Sequence, residues 1–510
     1  MFMKTDLLSS VRHACSDHTW CRSIVLYIMK PELMKRERRT IMDELLYLGV
    51  FLLYTIAILI LGKHGFDKTD ELKGYFLADR NLSLFPGIAS FCATWFSAAS
   101  LLGLPGLIYA GGVSVIWTTA IAWLLGIVGL FFLSSKLYTY NVVTVPEFFL
   151  IRYDSKLLQV WIGIVLSVSY LLYVVIQIRG FGIVVSEMLE VPYTVSVFLI
   201  YIFVLYTTFG GLHSVARTDI FHFCLILFGT ILGAILIVNE IGGVSDVVSS
   251  IASFGNRGTD AYLSLLPEGR LPFWTLLSAF FSLGLGVAAN PQYAVRILSS
   301  RSKSIALKMI VLSAFFLVLI YFSIFVIGIG SRIIDPDLQF NSTDEIYPYI
   351  ITYLLETPWK GILLISVVAA AISTANSQLL IMASSFVYDI TIPLRKQQVA
   401  DHKIISWTRW VIFAFATFSL LIAFTPPKGI VQFSGHVWGI IAVSLFFPLY
   451  GGLFTKASRN NALLSTFGGS VTYLLAFLLI PGEIQPVYHP VLPSIAVAGF
   501  LFLMKGGRPS

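Results

Sequence analysis

The sequence predicts an all-α polytopic membrane protein with about 13 transmembrane helices, and three observations predict it. Apolar runs recur from Leu45 to Met504, and about 20 apolar residues suffice to cross a bilayer. Only 12% of the 510 residues are charged while 57% are hydrophobic, against about 25% charged in soluble domains. Lys and Arg gather in alternate loops, as cytoplasmic loops require.

The expected spans are about 45–62, 82–110, 113–134, 157–188, 192–209, 218–239, 273–290, 305–330, 360–387, 405–425, 430–454, 461–481 and 488–504. In lipid the backbone must satisfy its own hydrogen bonds, so these are helices. No alternation of period two suggests a barrel. One set of loops carries cations from Lys63 and Arg80 through Arg217, Arg296 and Arg301 to Lys456 and Arg459, and the tail adds Lys505 and Arg508. The opposite set holds only Arg257, Arg270, Arg332, Lys360 and Lys428. The first set is therefore placed in the cytoplasm. The N-terminus then lies outside and the C-terminus inside, in a multi-pass protein of the cell (plasma) membrane.

The basic first 41 residues oppose that orientation and lack a signal-peptide core. They are expected not to be native, with translation starting at Met42. The run Lys35-Arg36-Glu37-Arg38-Arg39 is what a translated purine-rich ribosome-binding site would yield. The expected units are 1–41, that extension; 42–81, a first helix and cytoplasmic loop; 82–239 and 240–454, the central helices; and 455–510, two peripheral helices and a short tail. The loop at about 240–272 is expected to carry a short surface helix.

A net charge of +7 could suggest nucleic acid, but no basic stripe with interleaved aromatics exists, and no such partner is expected. Cys15, Cys21, Cys92 and Cys224 have no metal-ligand spacing. No nucleophile–base pair or metal cluster suggests an enzyme, and no organic cofactor is expected. The bilayer, a small solute and an ion are the partners implied.

Two spans depart from a plain lipid-facing pattern. The second reads Phe91-Cys92-Ala93-Thr94-Trp95-Phe96-Ser97-Ala98-Ala99-Ser100, then Gly103-Leu104-Pro105-Gly106. Small residues permit tight packing, or the segment is a broken helix whose freed carbonyls face an ion. The ninth carries Ser373-Thr374-Ala375-Asn376-Ser377-Gln378 inside an apolar helix. Polar residues at this depth face a bundle interior or cavity. Hydroxyl and carbonyl oxygens without fixed charge suit a hard monovalent cation, whereas a transition metal would want imidazole or thiolate.

From about Asp43 to the C-terminus the chain resembles the sodium:solute symporter family, which includes proline, pantothenate, sugar and sialic-acid symporters. The motifs are the second span, the stretch Gly210-Gly211 to Thr218-Asp219, Gly284-Leu285-Gly286 with Pro291 and Arg296 as seventh span and exit loop, and Ser373-Thr374. The resemblance implies a LeuT-like core of two inverted five-helix repeats, spans two to six (82–239) and seven to eleven (240–454). It implies sodium-coupled symport by alternating access, with sodium held by carbonyls of Ala93, Phe96 and Ala370 and hydroxyls of Ser373 and Thr374. Asp219 would assist ion release, and Ser97 would face the substrate. Trp95 stands where proline transporters have an aspartate, and His222 where many members have glutamine. Proton coupling through Asp219 or His222 is the alternative, opposed by the uncharged hydroxyl pair. A non-transporting sensor would be expected to carry a signalling domain, and none follows Met504.

The solute is read from Gln177-Ile178-Arg179-Gly180-Phe181-Gly182. Arg179 could snorkel to the interface or grip a carboxylate with two parallel hydrogen bonds. Some family members with acidic substrates use an arginine here, and sugar carriers use an acid in span three that this chain lacks. A carboxylate or zwitterion is therefore expected, with Ser97, Trp95, Gln177 and Arg179 as substrate contacts. Trp438 is expected to be an interfacial anchor, and His436 a packing residue.

Overall fold

Lipid offers backbone amides no partner, and the apolar runs fold as helices. The computed structural model describes residues 43–63, 71–255, 262, 273–338, 342–355, 357–395, 397–427 and 429–504. Among them the only sheet-like pairing is an isolated bridge between Leu82 and Ser300. The expected extension 1–41 lies outside the described residues.

In chain order the membrane-scale helices are α1 (Asp43–Lys63), α2 (Leu84–Trp95), α3 (Ala99–Gly111), α4 (Val115–Tyr140), α5 (Lys156–Leu189), α6 (Tyr193–Phe209), α7 (Gly211–Ile241), α8 (Phe273–Ser299), α9 (Lys303–Ile334), α10 (Lys360–Leu394), α11 (Asp401–Ala423), α12 (Ile430–Phe454), α13 (Arg459–Leu479) and α14 (Val491–Leu503). Among the described residues, ten are long and apolar enough to cross a membrane, and α2 with α3 makes an eleventh crossing bent by 60°. Helices α6 and α14 lie where the fifth and thirteenth spans are expected. They have 17 and 13 residues, about 26 and 20 Å of helix, which is less than the hydrocarbon thickness of about 30 Å.

Helices α2 and α3 are one apolar run cut at Phe96–Ser97, where Phe96 is extended (φ −79°, ψ 126°). The cut is stabilised from α5. Gln177 Oε1 accepts from the Ala98 amide at 3.0 Å, a donor that an unbroken helix would send to the Thr94 carbonyl. One turn further along α5 is Gly180, where a Cβ would strike the Ala98 methyl. Glycine there lets α5 close on the break.

A second interruption divides α8. Asn290 is extended, its side chain accepts from the Gln292 amide, and Pro291 opens a new helical segment to Ser299. The exit loop expected after the seventh span is therefore helix. Asparagine is a strong N-cap, and proline at the first helical position loses no hydrogen bond. Arg296, expected among the loop cations, is consequently fully buried.

Helix α10 forms the centre of the bundle. It packs against α2, α5 and α7, and 94% of its most apolar window is buried, against 28% for the peripheral α1. This explains how it tolerates its polar run. The short surface helix expected after α7 spans Val244–Gly255. A turn at Thr343–Glu345 presses on α3 so closely that a Cβ at Gly106 would collide with the Thr343 carbonyl.

Candidate functional site

Cutting a helix frees carbonyls, and α10 brings hydroxyls to them. The Ser373 hydroxyl donates to Ala93 O at 2.8 Å and lies 3.0 Å from Ala370 O. The Thr374 hydroxyl lies 3.0 Å from Phe96 O and 3.4 Å from Thr94 O. The five expected residues Ala93, Phe96, Ala370, Ser373 and Thr374 thus converge where α2 is cut, and all are buried. Thr94 O is a sixth nearby oxygen. It is left over because the Ala98 amide goes to Gln177, and it accepts from Gln292 Nε2 at 2.7 Å. Gln292 in turn accepts from Gln378 Nε2 at 2.8 Å. Thr94 lay inside the motif already singled out, and its backbone role had no signal in its side chain. Among the described residues, no group of three or more His, Cys, Asp or Glu could hold a metal ion.

Asp219 lies beside this cluster on α7 and is fully buried. Its carboxylate accepts from Ser90 Oγ at 2.6 Å and from Arg296 Nη2 at 3.2 Å. The same guanidinium nitrogen donates to Ser377 Oγ at 2.5 Å, and Ser377 also lies 3.1 Å from Thr94 Oγ1. Four helices, α2, α7, α8 and α10, are therefore joined through one ion pair. His222 pairs with Tyr54 of α1 at 3.0 Å and sits 4.0 Å from Asp219.

The four expected substrate contacts are all buried, but they do not form one surface. Trp95 donates to Tyr321 OH at 2.8 Å and packs on Tyr293 at 4.8 Å between ring centroids. Tyr293 stacks on Trp438, which meets Tyr173 edge-on at 4.9 Å. Trp438 is therefore a core residue, 3% exposed, and not an interfacial anchor. It lies two turns into α12, which buries it. Ser97 lies 3.4 Å from Tyr173 OH, at the edge of this aromatic stack. Gln177 serves the helix break.

Arg179 stands apart from them. It donates to Asp344 at 3.0 Å and to Ser342 at 3.3 Å, both on the turn that covers α3. It does not snorkel to the interface, because a buried carboxylate holds it. Asp344 also accepts from the Ile430 amide at the start of α12 at 3.3 Å. Sequence reasoning did not single out Asp344, an acid in a loop 165 residues away.

A broken helix facing an uncharged oxygen cluster at the centre of a polytopic bundle defines a membrane transporter. The chain belongs to the sodium:solute symporter family, whose pattern matches residues 75–469. It is 27% identical to the sodium/pantothenate symporter of Escherichia coli (strain K12), over 91% of this chain and 96% of that one. It is 24% identical to the osmoregulated proline transporter OpuE of Bacillus subtilis (strain 168), over 90% of this chain and 94% of that one. Its fold is similar to the substrate-bound, outward-open structure of a Na+-coupled sialic acid symporter. The TM-score is 0.74, with 19% identity, covering 91% of this chain and 99% of that one. The fold is thus a LeuT-like transporter core.

Proposed function

We propose that this protein is a sodium-driven symporter that imports a small organic solute across the plasma membrane by alternating access. The convergence of Ala93 O, Phe96 O and Ala370 O with the hydroxyls of Ser373 and Thr374 carries the reading. Sodium would take these oxygens as ligands, each hydroxyl turning a lone pair to the ion. Neutral ligands bind a monovalent cation weakly enough to release it. Each inward charge contributes about 2.3 kcal/mol per 100 mV of membrane potential. Asp219, linked to the α10 hydroxyls through Arg296 and Ser377, would assist release toward the cytoplasmic side. The two central units, 82–239 and 240–454, each contain an interrupted helix, which supports reading them as an inverted five-plus-five repeat.

The solute is read as a carboxylate or zwitterion. Pantothenate, proline and sialic acid, named for the relatives, each bear a carboxylate. The Arg179 guanidinium already donates to a carboxylate, that of Asp344. Trp95, Ser97 and Gln177 remain the other proposed solute contacts, although in this structure they do not share a surface with that arginine.

Uptake into proteoliposomes, screened over carboxylates, amino acids and nucleobases with and without a sodium gradient, tests the reading. Thr374→Ala and Ser373→Ala should each raise the sodium concentration for half-maximal uptake by about 10- to 100-fold. That follows from a ligand contact to a charge of about 1.5–3 kcal/mol. Uptake that follows a proton gradient and ignores sodium would replace the ion assignment.

A further inference from the structure

A cavity of about 330 Å³ opens between α4, α8, α12 and the segment before α14, at the end of α12 remote from Lys456 and Arg459. Its volume is in the range of small-molecule sites. Thr118, Ser282, Gly435, His436, Gln485 and His489 are among its walls, and no Asp, Glu, Lys or Arg is among its described lining residues. It is separate from the oxygen cluster. None of Ala93, Phe96, Ala370, Ser373 and Thr374 is among its walls.

Hydrogen bonds set the proton positions of the two histidines. The Val491 amide donates to His489 Nδ1 at 3.2 Å. That nitrogen is therefore a bare acceptor, and His489 carries its proton on Nε2. Nε2 is buried and has no partner, in a residue 7% exposed. The space beside it is left by a glycine: a Cβ at Gly435 would meet only His489 Nε2, at 3.9 Å. His436 has the opposite arrangement. The Tyr473 hydroxyl donates its one proton to His436 O at 3.0 Å and lies 3.2 Å from His436 Nδ1. Both contacts are made only if Nδ1 carries the proton, which leaves His436 Nε2 as an acceptor. The two rings stack at 4.4 Å. One ring therefore has an unused N–H, and the other an unused lone pair.

We propose that this cavity is a second ligand site, for an uncharged group that offers an acceptor to His489 Nε2–H and a donor to His436 Nε2. A carboxamide or a hydroxyl has that chemistry. A carboxylate has no donor for His436, and no cation in the described wall would balance its charge. A divalent metal is disfavoured too, since stacked rings do not converge on one ion and His489 Nε2 is protonated.

The test uses the purified full-length protein in nanodiscs, with 15N-labelled histidine. Propionamide is titrated against it, with sodium propionate as the charged analogue of the same shape. Expected are opposite tautomers for His436 and His489, and saturable shifts of both with propionamide and not with propionate. Binding should survive Ser373→Ala and weaken at least tenfold in Gly435→Leu, which fills the space beside Nε2, and in His489→Phe. Like tautomers, equal response to propionate, no response at all, or undiminished binding in the folded Gly435→Leu protein would overturn the proposal. No sodium gradient enters the measurement, so its failure is distinct from failure of the symport reading.

Discussion

Asp219 and Arg296 show what a single residue costs inside a membrane bundle. Neither charge reaches solvent, and each is compensated by the other with help from Ser90 and Ser377. Removing one partner of such a pair typically costs about 3–5 kcal/mol, while replacing both by apolar groups costs far less. Arg296→Met should therefore lower the unfolding temperature of the purified protein markedly, and Arg296→Met with Asp219→Leu should recover most of the loss. A double variant as unstable as the single one would mean that the pair is not the source of the effect. Asp219 was legible from the Thr218-Asp219 motif. Arg296 was legible as a motif residue and a loop cation, but its burial against Asp219 was not, because Asn290-Pro291 reads as an interruption and its capping role emerges only from the folded backbone. Trp438 was misread for a similar reason: a tryptophan near a helix start suggests an interface, and only packing shows that Tyr293 and Tyr173 cover it.

At the scale of elements, the break between α2 and α3 was legible because Pro, Gly and hydroxyl residues at mid-membrane oppose an ordinary helix. The five oxygens at the break were implied by family resemblance, and the folded chain brings them together. The turn at Thr343–Glu345 was not legible, since its seat on α3 depends on the absent side chain of Gly106. That turn ties α5 to the start of α12 through Asp344, which occupies Arg179 Nη2 and leaves Arg179 Nε without a partner, so a solute carboxylate held by this guanidinium would compete with Asp344 for it. The two roles of Arg179 separate in uptake kinetics. If Arg179 anchors solute, Arg179→Ala raises KM about tenfold or more, from the loss of about 1.5–3 kcal/mol of charged hydrogen bonding. Asp344→Asn then lowers KM or leaves it unchanged, by freeing the guanidinium. If the pair is only a latch, both variants change KM alike.

For the whole molecule, the membrane and the helical spans were legible from apolar run length, whereas the orientation rests on loop charge. Lys456 lies in a described cation-bearing loop after α12, and Glu483 in the loop after α13; both are exposed. In intact cells an impermeant maleimide should label Glu483→Cys and spare Lys456→Cys, with permeabilisation exposing the second. The reverse pattern would invert the topology. The position of α10 also bears on how the chain is inserted. A segment with Ser373, Thr374, Asn376, Ser377 and Gln378 partitions poorly into lipid by itself. Its hydrogen-bond partners outside α10 are Ala93 and Thr94 on α2, Phe96 at the break, Thr207 and Thr208 on α6, and Gln292 and Arg296 on α8. Every one precedes it in the chain. As the ribosome delivers α10, the helices that satisfy it have already been synthesised, so the order of synthesis supplies a polar berth before the segment that needs it leaves the translocon.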